Sequence, residues 1–272
     1  MRNSLNNWIY NVMPGWVERI LYLKITHPRQ EKTSGEEAKI LESAEVLTDE
    51  YLDYPLKIFK WGNGNRSILL VNGWDGNPSY FAKMARRLSN QGYTVYAFEF
   101  PNKRLGLRPG INPYLYSQII GHLIDRLKVD HVAAHCLGAL ATIYALFEQR
   151  NFLLDRFLLI SPFDRFQDYL DDFTNKNHVP QELKHALISR LNTDMRGIHR
   201  WNMCDLIPYV RNLINRVLII HDKKDLVVPY SVAERIAKKW HRVTLHSVEN
   251  IGHREALNSP VAIKKALDFF SN

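Results

Sequence analysis

Three runs of apolar residues without polar alternation, Ile68-Leu69-Leu70-Val71, Phe157-Leu158-Leu159-Ile160 and Val217-Leu218-Ile219-Ile220, constrain the fold most. A strand with one face in water alternates in polarity. A strand that is apolar at every position is buried on both faces, as in a parallel sheet covered by helices. Further strands are expected at 94–98, 131–135 and 243–246. Stretches with helical periodicity, 79–91, 113–127, 137–149, 231–240 and 260–270, fall between or after the strands. Strand and helix alternate, which predicts an open α/β sheet, mostly parallel, with helices on both faces.

Two regions depart from that alternation. Ahead of it, residues 46–49 and 56–61 read as a pair of strands, and Gly62-Asn63-Gly64-Asn65 as a turn. Apolar pairs at Trp8-Ile9, Val12-Met13, Trp16-Val17 and Ile20-Leu21 recur every four residues and mark one helical stripe. Pro14 suits the first turn of its main helix, and His27-Pro28 ends it. This helix is expected to pack on the body of the protein. Its tryptophans, with Arg19 and Lys24, leave peripheral membrane contact as a second reading. Residues 30–39 read as a connector. Residues 1–45 are thus expected to be a helical extension, and 46–272 the main domain. Within that domain, 162–215 is helical in pattern and too long for a crossover. It is rich in large apolar side chains such as Phe163, Phe166, Tyr169 and Trp201. It reads as a helical cap over the C-terminal edge of the sheet, where open α/β sheets bind ligands.

Composition narrows the classes of partner. The net charge is +8, but the basic residues are scattered in ones and twos and accompany no zinc-finger spacing, Walker loop or ribonucleoprotein motif. No nucleic-acid partner is therefore expected. Two cysteines, Cys136 and Cys204, cannot build a disulfide framework and point to a reducing compartment. No apolar run approaches the ~20 residues needed to span a bilayer. The polar N-terminus lacks a signal-peptide core. A cytoplasmic location is the expectation.

The segment Ala134-His135-Cys136-Leu137-Gly138-Ala139 carries the chemistry. A buried strand ends, a nucleophile sits at the turn, and a helix starts at once. Residues two before and two after the nucleophile must be small, and Ala134 and Gly138 are. The pattern is G-x-S-x-G with Ala at the first glycine and Cys at the serine.

From about Trp61 to Phe270, apart from the cap, the chain resembles the α/β-hydrolase superfamily. Within it, Trp61-Gly62-Asn63-Gly64 and Asn72-Gly73-Trp74-Asp75-Gly76 are similar to the W-G-x-G and H-G-W-x-G of a bacterial group, mostly hydrolases without an assigned substrate. The resemblance implies an acid after a late strand and a base near the C-terminus. His221 to Pro229 resembles H-x-x-x-D-x-x-V-P and offers Asp225. Gly252-His253 with Leu257 resembles G-H-x-x-x-L and offers His253. The order Cys136, Asp225, His253 is the nucleophile–acid–base order of this fold. In the expected roles, Cys136 forms the acyl intermediate at a helix N-terminus, whose partial positive charge favours a thiolate. His253 moves the protons and Asp225 orients it. The backbone N–H groups of Trp74 and Leu137 form the oxyanion hole. Asp164, after the strand ending at Ile160, is the alternative acid because some relatives place it there. Asp222 reads as structural, His135 and His221 as groups that orient loops or fill space, and Cys204 as core.

The chain departs from the group at Asn72, where the usual residue is His, and at 99–106, where D-x-P-x-H-G-x-S is degraded. Cysteine nucleophiles occur in this fold in dienelactone hydrolases and polyhydroxyalkanoate synthases. The leading reading is a hydrolase of small-molecule esters or thioesters acting through an acyl-cysteine. The aromatic cap suggests an apolar acyl group. An acyltransferase with the same triad, and a non-catalytic binding protein on this fold, are the alternatives. No metal or organic cofactor is implied.

Overall fold

The computed structural model describes residues 13–27, 35–74, 77–99, 112–148, 154–194, 205, 207 and 216–271. Two helices lead, α1 (Pro14–Thr26) and α2 (Gly35–Glu42), followed by β1 (Glu45–Tyr51) and β2 (Tyr54–Trp61). These strands form an antiparallel hairpin. Its two-residue turn, Leu52-Asp53, takes positive φ at both positions (47° and 60°), which matches the twist of paired strands.

The alternating part follows. Its strands are β3 (Arg66–Val71), β4 (Tyr93–Phe98), β5 (His131–His135), β6 (Arg156–Ile160), β7 (Arg216–Asp222) and β8 (Val243–Val248). Its helices are α3 (Ala82–Asn90), α4 (Pro113–Arg126), α5 (Leu137–Glu148), α6 (Phe166–Lys176), α7 (Gln181–Asp194), α8 (Tyr230–Lys239) and α9 (Pro260–Ser271). All eight strands join one sheet in the order β1-β2-β4-β3-β5-β6-β7-β8. Every pairing from β4 to β8 is parallel, and β2 meets β4 antiparallel. Strands β5 and β6 are buried at every position, whereas the edge strands β1 and β8 are largely half-buried or exposed. This is the burial that unbroken apolar runs predict.

Two apolar cores lie on opposite faces of the sheet. One gathers side chains of α1, α4, α5, α6, α7 and α8 around Leu69, Val132 and Leu159. The other gathers α2, α3 and α9 around Ile68, Leu70 and Leu158. The alternation along β3, Ile68 and Leu70 to one face and Leu69 and Val71 to the other, is the two-residue period of a strand.

The structure corrects two expectations. Residues 30–39 are not simply a connector, because α2 begins at Gly35. Glu36 and Glu37 favour its first turn, and Ile40 anchors it, buried, with its carbonyl accepting from Trp61 Nε1 at 3.0 Å. The helix expected over 79–91 starts as a 3₁₀ turn (Pro78–Phe81), because Asn77 Oδ1 accepts from both Ser79 N and Ser79 Oγ before α3 takes over. Between β6 and β7, α6 and α7 are described, and of 195–215 only Asp205 and Ile207. Trp201, Cys204 and the apolar pairs preceding Met13 lie outside the described residues.

His131, at the start of β5, is fully buried between the rings of Tyr93 and Phe270. Neither of its ring nitrogens has a hydrogen-bond partner. Burial, then the nearby Arg66 charge, lowers its pKa to about 4. The unfolded chain therefore takes up this proton first, near the ordinary histidine value. Stability is full at neutral pH and falls as pH drops from there towards about 4. We expect His131→Leu to remove about 2 kcal/mol of the loss seen between neutral pH and about pH 5, read from urea unfolding at both pH values.

Candidate active site

The site is built at the C-terminal ends of β5 and β7. Cys136 follows the last residue of β5 and precedes the first of α5, with φ of +54°. A non-glycine residue in the left-handed region is uncommon and costs of order 1–3 kcal/mol, so its surroundings must hold it there. They do. Cys136 N–H donates to Ile160 O at 3.1 Å, and its carbonyl accepts from Ala139 N and Phe163 N. A Cβ on Gly138 would lie 2.1 Å from the backbone oxygen of Asn72, so only glycine lets the start of α5 pass beneath the end of β3. The Asn72–Trp74 loop thus lies against the turn: a Cβ on Gly73 would stand 3.3 Å from Cys136 Cβ. Asn72, in the place where the group has His, donates through Nδ2 to Phe98 O, and its carbonyl accepts from Tyr116 OH.

Cys136, His253 and Asp225 come together. His253 Nδ1 lies 2.7 Å from Asp225 Oδ2, and the Cys136 thiol acts electrostatically on the same ring. Burial opposes charge on His253. The hydrogen bond to Asp225 and the electrostatic effect of Cys136 outweigh it, and the pKa is raised to about 10. Asp225 is buried as well, which favours its neutral form, yet hydrogen bonds from His221 and His253 and the N–H of Val228 hold it well below the usual carboxylate range. Its Oδ1 accepts from Val227 N and Val228 N, at 2.8 and 2.9 Å. His221 Nε2 sits 2.9 Å from Val228 O, so this nitrogen carries the hydrogen, and the same atom is 3.5 Å from Asp225 Oδ2. His135 packs its ring 4.6 Å from that of His253, and burial, then the His253 charge, keeps it neutral.

Asp164 is engaged elsewhere. It is buried and forms a two-pronged ion pair with Arg235 on α8, at 2.8 and 2.9 Å. Asp222 is structural, as expected from its place near the strand end, but which partners it holds is not legible in sequence. It sits at the end of β7, fully buried, and its carboxylate accepts from four backbone N–H groups, those of Lys224, Asn250, Ile251 and Gly252. Burial raises its pKa and these four bonds outweigh it, so it stays ionised. The last three donors belong to the segment that delivers His253, and Gly252 takes φ of +95° there. Asp222 therefore ties the loop that carries Asp225 to the loop that carries His253. Its only signal in sequence is a carboxylate at a strand end followed by a turn, a pattern shared with ordinary Asx turns.

Beside the turn, Trp74 is ringed by Tyr116, Phe166 and Tyr169, with ring centroids 5.7 to 6.4 Å away. Its indole N–H donates to Ile25 O of α1 at 2.6 Å. Among the described residues no three His, Cys, Asp or Glu side chains converge where a metal ion could be held.

A model of the Alpha/beta hydrolase family matches residues 68–265, and the chain belongs to that family. No curated protein sequence matches it. Among solved structures it is similar to an alpha/beta hydrolase enzyme from the metagenome of lagoon sediments at Mar Chica, Morocco. That similarity is 16% identity and a TM-score of 0.60, covering 83% of this chain and 97% of that one. An esterase from Exiguobacterium antarcticum gives 16% identity and 0.59, over 80% and 96%. A membrane phospholipase A described as a bacterial virulence factor gives 15% and 0.65, over 100% and 98%. At these identities the likenesses show the fold.

Asp222→Ala leaves the N–H groups of Asn250, Ile251 and Gly252 without their acceptor, a loss of about 1–3 kcal/mol. We expect faster amide exchange centred on 250–252, with Lys224 affected as well, and a lowered melting temperature. Unchanged exchange there would remove Asp222 from the loop's support.

Proposed function

We propose that the chain hydrolyses carboxylic esters or thioesters through an acyl-cysteine at Cys136. The observation that carries this is a cysteine on a left-handed strand–helix turn whose thiol acts electrostatically on a histidine, and that histidine's Nδ1 is 2.7 Å from a buried carboxylate. His253 holds the thiol proton while Sγ attacks the acyl carbon. The carbonyl π electrons move to oxygen, which accepts from the N–H groups of Trp74 and Leu137. When the tetrahedral centre collapses, the bond to the leaving group breaks and His253 gives that group its proton. In the second half His253 takes a proton from water. The hydroxide attacks the thioester, the S–C bond breaks, and the proton returns to sulfur. The sum is one ester or thioester and one water converted to an acid and an alcohol or thiol.

Asp225 supports this cycle by stabilising the imidazolium, and its own ionised state is secured by Val227, Val228 and His221 before substrate arrives. Residues 162–215 serve as a cap in this reading and 1–45 as a helical extension packed on the body of the domain. The rings of Phe166 and Tyr169 on α6 pack around Trp74, beside the proposed oxyanion hole, and favour an apolar acyl group.

The test is turnover of p-nitrophenyl esters and acyl-CoA thioesters of graded chain length, with intact-mass detection of an acyl adduct. We expect Cys136→Ala to lose both turnover and adduct, and Asp225→Asn to lower kcat by about a thousandfold or more. An adduct that discharges only to an added alcohol, amine or thiol would identify a transferase. Full turnover by Cys136→Ala would overturn the assignment.

A further inference from the structure

Helix α1 has one face too many for its packing. Its inner face is satisfied: Val17, Leu21, Tyr22 and Ile25 are buried. Glu18, the single acid of the helix, turns inward to Arg190 of α7 at 3.0 Å, and the Arg190 guanidinium lies 4.0 Å over the Tyr22 ring. The outer face carries an apolar stripe. Trp16 is 65% exposed and Ile20 37%, and Met13, at the N-cap, is 52% exposed. At about 100° per residue, Trp16, Ile20 and half-buried Leu23 fall within about 60° of one another. Arg19 flanks this stripe on one side and Lys24 on the other, both exposed. An exposed Trp-Ile stripe between cations, on a face without an acid, is the pattern of a helix lying in a lipid–water interface.

From this geometry we propose that α1 docks the protein on an anionic lipid bilayer, with Trp16, Ile20 and Met13 entering the headgroup region and Arg19 and Lys24 meeting lipid phosphates. The charge arrangement favours lipid over a second copy of the chain. A two-fold contact of the stripe with itself would bring Arg19 and Lys24 towards their own copies, with no carboxylate on that face to meet them. A bilayer bearing phosphatidylglycerol accepts both cations and the apolar stripe at once. The docking helix is also coupled to the site, because Ile25 of α1 accepts the Trp74 indole N–H and Trp74 follows Gly73 in the loop against Cys136. Acyl substrates dissolved in the membrane are therefore the class presented to it. Docking itself does not depend on the proposed chemistry, and is measured on Cys136→Ala as well as on the parent chain.

The experiment is co-sedimentation of the full chain with phosphatidylcholine vesicles, with and without phosphatidylglycerol, at low and high salt. We expect binding to the anionic vesicles that weakens with salt. In the pair Trp16→Glu/Ile20→Glu, and separately in Arg19→Glu/Lys24→Glu, it should fall by about tenfold or more. Turnover of a water-soluble short-chain ester should be unchanged in both. Brominated lipid should quench part of the tryptophan fluorescence, and that part should be lost in Trp16→Phe, a variant mild enough to keep the fold should the charged pairs fail to. Equal sedimentation with neutral and anionic vesicles, undiminished binding by the variants, or a dimer that Trp16→Glu/Ile20→Glu dissolves would each overturn the proposal. Binding by Cys136→Ala without turnover by the parent chain would keep the docking and reject the hydrolase reading.

Discussion

The close passage of Gly138 beneath the Asn72 carbonyl is the contact on which the rest of the site depends. A hydrogen in place of a side chain lets the first turn of α5 lie directly under the end of β3. Cys136, two residues before Gly138, stands at a helix start with a left-handed backbone. The same carbonyl is not left bare, because Tyr116 OH donates to it at 2.9 Å. Asn72 Nδ2, bonded to Phe98 O, anchors the loop to the neighbouring strand β4. One steric requirement thus fastens Cys136, the Asn72–Trp74 loop and the centre of the sheet to one another.

Asp225 and His253 are held by a different device. Asp225 and Asp222 stand three residues apart beyond a buried strand, and each has its charge stabilised mainly by hydrogen bonds donated in the fold. For Asp225 the donors are Val227, Val228 and two histidines. For Asp222 they are four backbone N–H groups. A buried carboxylate without such donors would take a proton and lose its grip on either loop. Both loops are therefore ordered by ionised groups, and protonating either would loosen the position of His253. His135 adds a neutral ring against the imidazole and brings no competing charge, since its burial keeps the proton off.

How much of this was legible in the residues follows from the range of each interaction. The apolar runs at 68–71, 157–160 and 217–220 mark buried parallel strands because burial on both faces is a local demand. The small residues around Cys136 mark the turn for the same reason. Asp225 and His253 could be picked out because each lies in a short local pattern. Four features were hidden, and each depends on a partner distant in sequence or on geometry. Helix α2 has few apolar residues and is anchored through Ile40 onto Trp61. Asp164 looks like a spare acid until Arg235, 71 residues on, occupies both its oxygens. The distant partners that give Asp222 its structural role, Asn250, Ile251 and Gly252, lie 28 to 30 residues on. Leu52-Asp53 adopts a turn usually reserved for Asn and Gly, because the register of β1 on β2 leaves two residues to reverse the chain.

The family membership and the site differ in what they constrain. The fold supplies the sheet edge and the turn, and hosts many chemistries. The substrate must be read from what surrounds Cys136, where the rings of Trp74, Phe166 and Tyr169 form one cluster shared by the central loop and α6. Through its indole N–H the same Trp74 reaches α1, and α1 reaches α7 through Glu18 and Tyr22 on Arg190. The loop against Cys136, α6 and the leading helix are thus linked through Trp74, α6 meeting it by ring packing and α1 by a hydrogen bond. Any ligand that displaces α6 must also repack Trp74 and so bears on α1.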